Sequence, residues 1–261
     1  MPRTSRQKSE SGIYHIILKG SSGQEIFHDE EDRYKFLDML EKYKQKSGLE
    51  VYGWCLMSTH VHLLIKEGQE DLATTMKRIG VSFVGYYHWK YETAGHLFQD
   101  RYRSEEVEND SYLVTVIRYI HQNPVKANLV DKPQDWKWSS CLGYYGEQIY
   151  PRGLLDKELI LKIFAQDEAA AVRIFREYNE KSNKDECLDE TTVARIKDEE
   201  ARQRIERLQA GIRVAQIKSL PREQRDEIVK KATCIEGISQ RQLSRVLGIS
   251  QALISKIARK V

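Results

Sequence analysis

The segment Ser58-Thr59-His60-Val61-His62-Leu63-Leu64-Ile65 tells most about how this chain folds. Side chains two residues apart on a β-strand point to the same face, so His60 and His62 project together while Val61 and Leu63 face the core. Two neutral imidazoles on a rigid strand can hold a divalent cation and leave positions for a third ligand and a phosphate oxygen. A pair of surface or hydrogen-bonded histidines is the alternative interpretation.

The segments on both sides of this motif alternate between strand-like and helix-like patterns. The former predict strands at 13–18, 50–55 and 61–65, and the latter predict helices at 29–46, 71–92 and 111–122. We expect Pro124 to end the last helix, because the residue before a proline avoids the α conformation. This order of elements is typical of an α+β fold with an antiparallel sheet.

The end of the third predicted helix carries a second pair of candidate site residues. Tyr119 and Asn123 are four residues apart and so share one helical face. Asn123 offers an amide oxygen as a metal ligand, and a nearby divalent ion would favour the phenolate of Tyr119, which is otherwise a poor nucleophile. In the alternative interpretation, Tyr119 packs in the core and Asn123 caps the helix before Pro124.

The composition excludes several classes of protein. Of the 261 residues, 40% are hydrophobic and 31% charged, which is typical of a globular chain rather than a fibrous or disordered one. No apolar run approaches the roughly 18 residues that cross a bilayer, and the start of the chain is polar, so we expect no membrane partner and a cytoplasmic location. The four cysteines form no CxxC pair and suggest neither a zinc ribbon nor a disulfide framework.

The charge is uneven along the chain. Residues 191–261 contain 16 Lys and Arg against 8 Asp and Glu, whereas the rest of the chain contains 26 against 31. A basic C-terminal segment on a mildly acidic body is typical of nucleic-acid binding, because cations that neutralise phosphates release condensed counterions. Solvated helix faces would give the same count, so charge alone leaves both interpretations open.

The last forty residues contain three amphipathic segments, at 222–233, 239–247 and 251–260, with Gly248-Ile249-Ser250 between the last two. Three short helices with a glycine-containing turn form the helix-turn-helix pattern. We expect base or phosphate contacts from polar residues of the third helix. These are Gln251, Ser255, Lys256 and Arg259. A protein-interaction or merely structural three-helix unit is the alternative.

Several motifs together make the chain resemble the single-tyrosine transposases of the HUH endonuclease superfamily. Within it they resemble the REP-associated tyrosine transposases of the IS200-like group, over roughly residues 1 to 145. The motifs are Met1-Pro2-Arg3, Tyr14-His15 to Lys19-Gly20, Cys55-Leu56-Met57 to Leu64, Gly95 to Tyr102, Tyr119 to Ala127 and Trp138-Ser139-Ser140. Ser58-Thr59 stand where many relatives have Pro-Asn, and the minimal relatives lack the C-terminal extension.

The resemblance implies a ferredoxin-like sheet and a specific activity. Members bind single-stranded DNA folded into imperfect hairpins of repetitive palindromic elements. Their tyrosine attacks a phosphodiester and leaves a 5′-phosphotyrosine and a free 3′-OH, which can reverse the step without ATP. Relatives that dimerise can pair the histidines of one subunit with the tyrosine of the other, so a homodimer is one arrangement to test.

Residue roles follow from the resemblance by position. His60, His62 and Asn123 would be ligands of Mg²⁺ or Mn²⁺, since an oxygen-rich phosphate completes the coordination of these ions. Tyr119 would be the nucleophile, and Gln122 ranks behind Asn123 as third ligand. Several basic residues could line a path for the DNA backbone, namely Lys77, Arg78, Lys90, Arg101 and Arg103. We keep Arg101 and Arg103 as candidates for DNA binding. Solvated helix faces explain such residues equally well.

Together these patterns divide the chain into three parts. They are the nuclease domain at 1–150, a helical linker or packing region at 151–217, and the helix-turn-helix domain at 218–261. The competing functional hypothesis is a DNA-binding regulator of the same family without catalysis. An HUH replication or conjugative nickase is the third, less favoured because the motifs match the compact single-tyrosine group.

Overall fold

The structure of the protein is a computed structural model that describes residues 8–185, 187–188, 198–208, 212–233, 235, 238 and 240–258, apart from the side chains at 241 and 252. Described residues up to 188 belong to one unit and those from 198 to a second. The predicted linker or packing region at 151–217 contributes helices to both. In the described part of the chain, no helix is long and apolar enough to cross a bilayer.

A four-stranded antiparallel sheet lies at the centre of the first unit, with the strand order β2-β3-β1-β4. Its strands are β1 (Ile13–Lys19), β2 (Glu50–Leu56), β3 (His60–Lys66) and β4 (Arg103–Glu106). The sequence predicts the first three and misses β4, because its four residues Arg-Ser-Glu-Glu contain no apolar side chain. A short, charged strand is typical of a sheet edge, because one side of an edge strand has no neighbouring strand.

Two helices cover one face of this sheet. These are α1 (Glu30–Ser47), which starts at a capping box between Asp29 and Asp32, and α2 (Leu72–Tyr91). Both pack on the strand residues of the first hydrophobic core. Fully buried members of this core include Ile16, Phe36, Trp54, Leu56, Leu63 and Phe83. The element order β1-α1-β2-β3-α2-β4 with this strand order is the ferredoxin-like one, within the α+β class that the sequence predicts.

The other face of the sheet packs against α3 (Asp110–Lys126). The helix approaches β2 closely at Gly53, where a Cβ atom would lie 2.2 Å from Cδ1 of the fully buried Ile117. Three further helices, α4 (Cys141–Tyr144), α5 (Glu158–Phe164) and α6 (Glu168–Glu180), join the same core through Tyr144, Ile160 and Phe175. α3 is therefore held between the sheet and these helices.

The prediction that Pro124 ends the third helix is wrong, since α3 continues to Lys126 with Pro124 inside it. Proline has no backbone N–H, so a helix that contains it lacks one hydrogen bond and must adjust locally around the ring. Here it lies in the last turn, and the Ala127 N–H still donates to the Asn123 carbonyl at 2.9 Å. The lost hydrogen bond is thus confined to the end of the helix.

The outer edge of β2 is covered by chain that follows α3. The Leu56 N–H donates to the Trp138 carbonyl, the Ser140 N–H to the Trp54 carbonyl and the Asp156 N–H to the Val51 carbonyl, at 2.8–3.0 Å. Because these bonds occupy the polar groups along β2, residues 138–156 act in place of a fifth strand.

The second unit is helical. It contains α7 (Asp198–Arg207), α8 (Val214–Ile217), α9 (Arg222–Thr233), α10 (Gln240–Leu247) and α11 (Gln251–Ala258). Its core is built from aliphatic side chains, chiefly Ile205, Ile228, Val229, Leu243, Leu247, Ile254 and Ile257. Gly248, with φ of 62°, makes the turn between α10 and α11. The helix-turn-helix assignment and its role in DNA binding stay predictions.

A buried carboxylate joins α1 to α2. Asp32 accepts hydrogen bonds from the backbone N–H of His28, from the hydroxyls of Tyr86 and Tyr91, and from Lys90 Nζ, at 2.7–3.0 Å. Burial alone would raise the pKa of Asp32, but the hydrogen bonds, first that of Lys90, outweigh it and hold the pKa below its ordinary value.

We expect Gly20→Ala to lower the free energy of unfolding by about 1–3 kcal/mol, the range of an overpacked site. A Cβ atom at Gly20 would lie 2.1 Å from the backbone oxygen of Gln24, which cannot rotate away. Gly80→Ala is the matched control, because nothing lies within 4 Å of its Cβ position inside α2. This control should gain about 0.5–1 kcal/mol. Urea unfolding measures both, and equal stability of the two variants would contradict the prediction.

We expect Asp32 to make stability depend on pH in the acid range. The pKa of Asp32 is lower in the folded protein than in the unfolded chain, so the ionised carboxylate stabilises the fold. This stabilisation is complete above the unfolded pKa of about 4 and is lost as the pH falls through the folded pKa. Asp32→Asn should therefore be less stable near neutral pH and lose less stability on acidification than the wild type. Asp131→Asn, at an exposed position, is the control. Urea unfolding across the acid range would refute this if Asp32→Asn and wild type lost stability in parallel.

Candidate active site

The sheet face beneath α3 carries both histidines of the sequence motif. In the strand register His62 of β3 lies between Cys55 of β2 and Ile17 of β1, and His60 lies opposite Lys19. The two rings meet edge to face, with centroids 4.9 Å apart. β3 thus places the two imidazoles on the face that the alternation in the sequence predicts.

His62 is fully buried and has one ring nitrogen in use. Its Nδ1 lies 3.1 Å from Nε2 of His15, a residue of β1, and the two rings are stacked. No described group hydrogen-bonds Nε2 of His62, which is also buried. Burial, followed by the nearby His60, His15 and Lys19, lowers the pKa of His62 well below its ordinary value, so the ring is neutral. A neutral imidazole with an unpartnered nitrogen has the form that binds a metal.

His60 lies nearer to the surface, with 8% of the residue exposed. Its Nδ1 is 2.9 Å from the hydroxyl of Thr59, which orients the ring. Of the two turn residues before β3, Thr59 thus contacts the histidine pair through His60.

Tyr119 of α3 comes next to the histidines. Its ring centroid lies 6.0 Å from that of His62 and 5.9 Å from that of His15, both in edge-to-face geometry. Lys126, two turns further along α3, has its Nζ 4.3 Å from the centroid of the Tyr119 ring. Only 4% of Tyr119 is exposed, and its ring also belongs to the core beneath α3. The tyrosine therefore has both the packing role and the position beside the histidines that the sequence suggests.

The two candidate amides differ in their contacts. The Gln122 amide nitrogen donates to the carbonyls of Asn179 and Lys181, and its oxygen accepts from Asn183. Gln122 therefore holds the chain after α6. Asn123 is half-buried, and its Nδ2 donates to the Tyr119 carbonyl at 3.0 Å in the same helix. Of the two, Asn123 is the better candidate for a metal ligand.

Within the described residues, no three His, Cys, Asp or Glu side chains form a group that could hold a metal ion. A metal here would need the two histidines and an amide oxygen. The unpartnered, buried Nε2 of His62 fits a ligand atom, and the amide oxygen is of the kind that suits Mg²⁺ or Mn²⁺. The residues present are therefore compatible with the predicted ion.

The two candidate arginines are placed differently. Arg103 of β4 lies opposite Ile17, in the same row across the sheet as His62, and is exposed. Arg101 is exposed but precedes β4 and has no place in the register. On α11, Gln251 and Lys256 are exposed and Ser255 is half-buried, whereas Arg259 lies outside the described residues.

Two residues of this site, His15 and Glu105, are not predicted from the sequence as site residues. His15 is directly opposite Glu105 in the pairing of β1 with β4. On its other side, its ring lies next to that of His62 in β3. His15 stands in one of the motifs that carry the resemblance and is a lone polar residue in an otherwise apolar strand, but neither signal gives it a role. Glu105 has none, since β4 is not predicted.

Comparisons with known proteins relate the first part of the chain to transposases. Residues 8–123 match the family model described as Transposase IS200 like. A Haemophilus influenzae protein described as a REP-associated tyrosine transposase is 26% identical over 114 residues, which cover 39% of this chain and 64% of that protein. The match thus spans less than two thirds of the relative. A solved structure of a REP-associated tyrosine transposase bound to a REP hairpin is 20% identical, with a TM-score of 0.49, covering 58% of this chain and 89% of that one.

We expect Gln122→Ala to cost about 1–3 kcal/mol of unfolding free energy, because it leaves buried carbonyls without their donor. Asn123→Ala should cost less, since its amide makes one bond within its own helix. Urea unfolding of both variants checks the order. A larger loss for Asn123→Ala would show that the division of contacts between the two amides is wrong.

Proposed function

We propose, from the IS200-like transposase domain that includes residues 8–123, that this chain is a metal-dependent DNA strand transferase. It binds single-stranded DNA that carries hairpins of repetitive palindromic elements, and it cleaves and rejoins the strand through Tyr119. The observation that carries the proposal is the position of the Tyr119 ring, 6.0 Å from a neutral His62 whose Nε2 has no described partner.

The chemistry is a transesterification in which no external energy source is needed. The Tyr119 hydroxyl loses its proton and attacks the phosphorus, the bond from phosphorus to the 3′ oxygen breaks, and that oxygen takes up a proton. The product is a 5′-phosphotyrosine and a free 3′-OH, and attack by a 3′-OH reverses the step. Mg²⁺ or Mn²⁺ held by His60, His62 and Asn123 would supply Lewis acidity at the phosphate.

Basic side chains near the histidines support the DNA-binding part of the proposal. Arg103 is exposed in the sheet row of His62, where it can contact a phosphate next to the cleaved one. Arg101 lies two residues earlier and can extend that path. Phosphate contacts of this kind position a strand without reading its sequence.

The helical second unit is proposed to contact duplex DNA, such as the stem of a hairpin. Gln251 and Lys256 are exposed on α11, as a recognition helix requires, and Ser255 and Arg259 complete the proposed set. A homodimer is a further part of the proposal, although Tyr119 lies beside the histidines of its own chain.

One observation favours a second candidate, a regulator that binds DNA without cutting it. Tyr119 is 4% exposed and its ring is part of the core beneath α3. A non-catalytic relative would keep such a tyrosine as a core residue. It would bind hairpins with or without metal and form no covalent product.

We expect the wild type, with Mn²⁺ and labelled single-stranded hairpin oligonucleotides, to form a covalent adduct that survives a denaturing gel. Tyr119→Phe should bind the same oligonucleotides on a native gel and form no adduct, because it lacks the attacking oxygen. Tyr43→Phe is the matched control, since Tyr43 of α1 hydrogen-bonds Ser82 on the opposite side of the sheet, and it should react like the wild type.

The outcomes separate the two candidates. An adduct with Tyr119→Phe would exclude Tyr119 as the nucleophile. Hairpin binding by the wild type without adduct, with metal present, would favour the regulator.

A further inference from the structure

Three titratable side chains on three adjacent strands form a line that ends at His62. Nε2 of His15 lies 3.1 Å from Nδ1 of His62, and Nδ1 of His15 lies 3.9 Å from Oε2 of Glu105. Both histidines are fully buried. The line therefore runs from a carboxylate on the edge strand β4, through His15, to Nδ1 of His62.

Glu105 is held as a carboxylate. Its Oε2 accepts a hydrogen bond from the Tyr112 hydroxyl at 2.7 Å and from the Leu188 N–H at 2.8 Å. The nearby His15 first, and then these two donors, outweigh the effect of burial and keep the pKa of Glu105 below its ordinary value. An ionised carboxylate only accepts hydrogen bonds, so it favours a proton on the atom of His15 that faces it.

The carboxylate of Glu105 thus determines which ring nitrogens of His15 and His62 carry a proton. A neutral imidazole has one N–H, and a proton on Nδ1 of His15 leaves its Nε2 as an acceptor. The contact at 3.1 Å then requires Nδ1 of His62 to donate, which places the lone pair of His62 on Nε2. Nε2 is the buried atom without a described partner.

We propose that His15 and Glu105 are positioning residues that hold His62 in its Nδ1–H tautomer, which leaves the lone pair of the ring on Nε2 for a metal ion. A carboxylate or other acceptor behind a metal-binding histidine orients the ring and raises its basicity. Glu105 acts on His15 mainly through its charge, since 3.9 Å exceeds a hydrogen bond. The part of this proposal that concerns metal affinity rests on the proposed function, whereas the tautomer does not.

The tautomer is tested on the metal-free protein by ¹⁵N NMR of the histidine rings, in which protonated and unprotonated nitrogens have different shifts. The His62 signals are assigned by their loss in His62→Asn. We expect Nδ1 of His62 to be protonated and Nε2 unprotonated in the wild type and in His15→Gln, whose amide can accept from His62 and donate to Glu105. In His15→Leu, which cannot accept, the Nε2–H tautomer should appear. A wild-type His62 with its proton on Nε2 would overturn the proposal.

Metal affinity is tested with Mn²⁺ alone, by electron paramagnetic resonance of the free ion in titrations of the full chain. We expect His15→Leu to weaken Mn²⁺ binding about 10- to 100-fold, the usual effect of removing a residue behind a ligand. His15→Gln should restore binding to near the wild-type value. An affinity of folded His15→Leu equal to that of the wild type would overturn the positioning role.

A matched control separates positioning from loss of stability. His121 is another fully buried histidine of the same unit, with its nitrogens 2.8 Å from the Ser140 hydroxyl and 3.2 Å from the Asn179 oxygen. His121→Gln should lower the melting temperature as His15→Leu does while leaving Mn²⁺ affinity unchanged. A similar loss of Mn²⁺ affinity in both variants would show that His15 acts only through the fold.

Failure of the proposed function gives a different result. If the wild type binds no Mn²⁺ and forms no adduct with DNA, the metal-dependent function is wrong, and the NMR spectrum alone decides whether His15 sets the tautomer of His62.

Discussion

The candidate site depends on how closely α3 packs against the sheet. Gly53 leaves room for Ile117 where any larger residue would push the helix away from β2. This contact fixes the height of α3 above the histidines, and with it the distance between Tyr119 and His62. A shift of the helix by the thickness of one methyl group would move Tyr119 of α3 away from the histidines on the strands.

Successive residues of α3 contact different parts of the protein. Arg118 pairs with Asp185, Tyr119 faces the histidines, and His121 bonds Ser140 and Asn179. Gln122 completes the contacts to the chain after α6. Because these side chains point in several directions around the axis, they fix the rotation of the helix as well as its position. The burial of His121, which lowers its pKa to about 3, keeps that ring neutral within this network.

The sequence is most informative where the pattern is local. Alternation places His60 and His62 on one face, helical spacing places Tyr119 near Asn123, and amphipathic segments predict α9 to α11 close to their bounds. What it misses comes from pairing between distant segments. His15 and His62 are 47 residues apart and meet only because β1 pairs with β3. Pro124 misleads for a related reason, since the packing of α3 outweighs the local preference of one residue.

The two edges of the sheet bear on how the protein behaves at high concentration. An exposed strand edge can recruit a strand from another molecule and start aggregation. Residues 138–156 block that route along β2 by occupying its backbone groups. At the other side, β4 is only four residues long and carries Arg103, Glu105 and Glu106, so a second molecule would have to bring its backbone against charged side chains. The short length and the charge of β4, which make it hard to predict from the sequence, thus also prevent the sheet from extending into a second molecule.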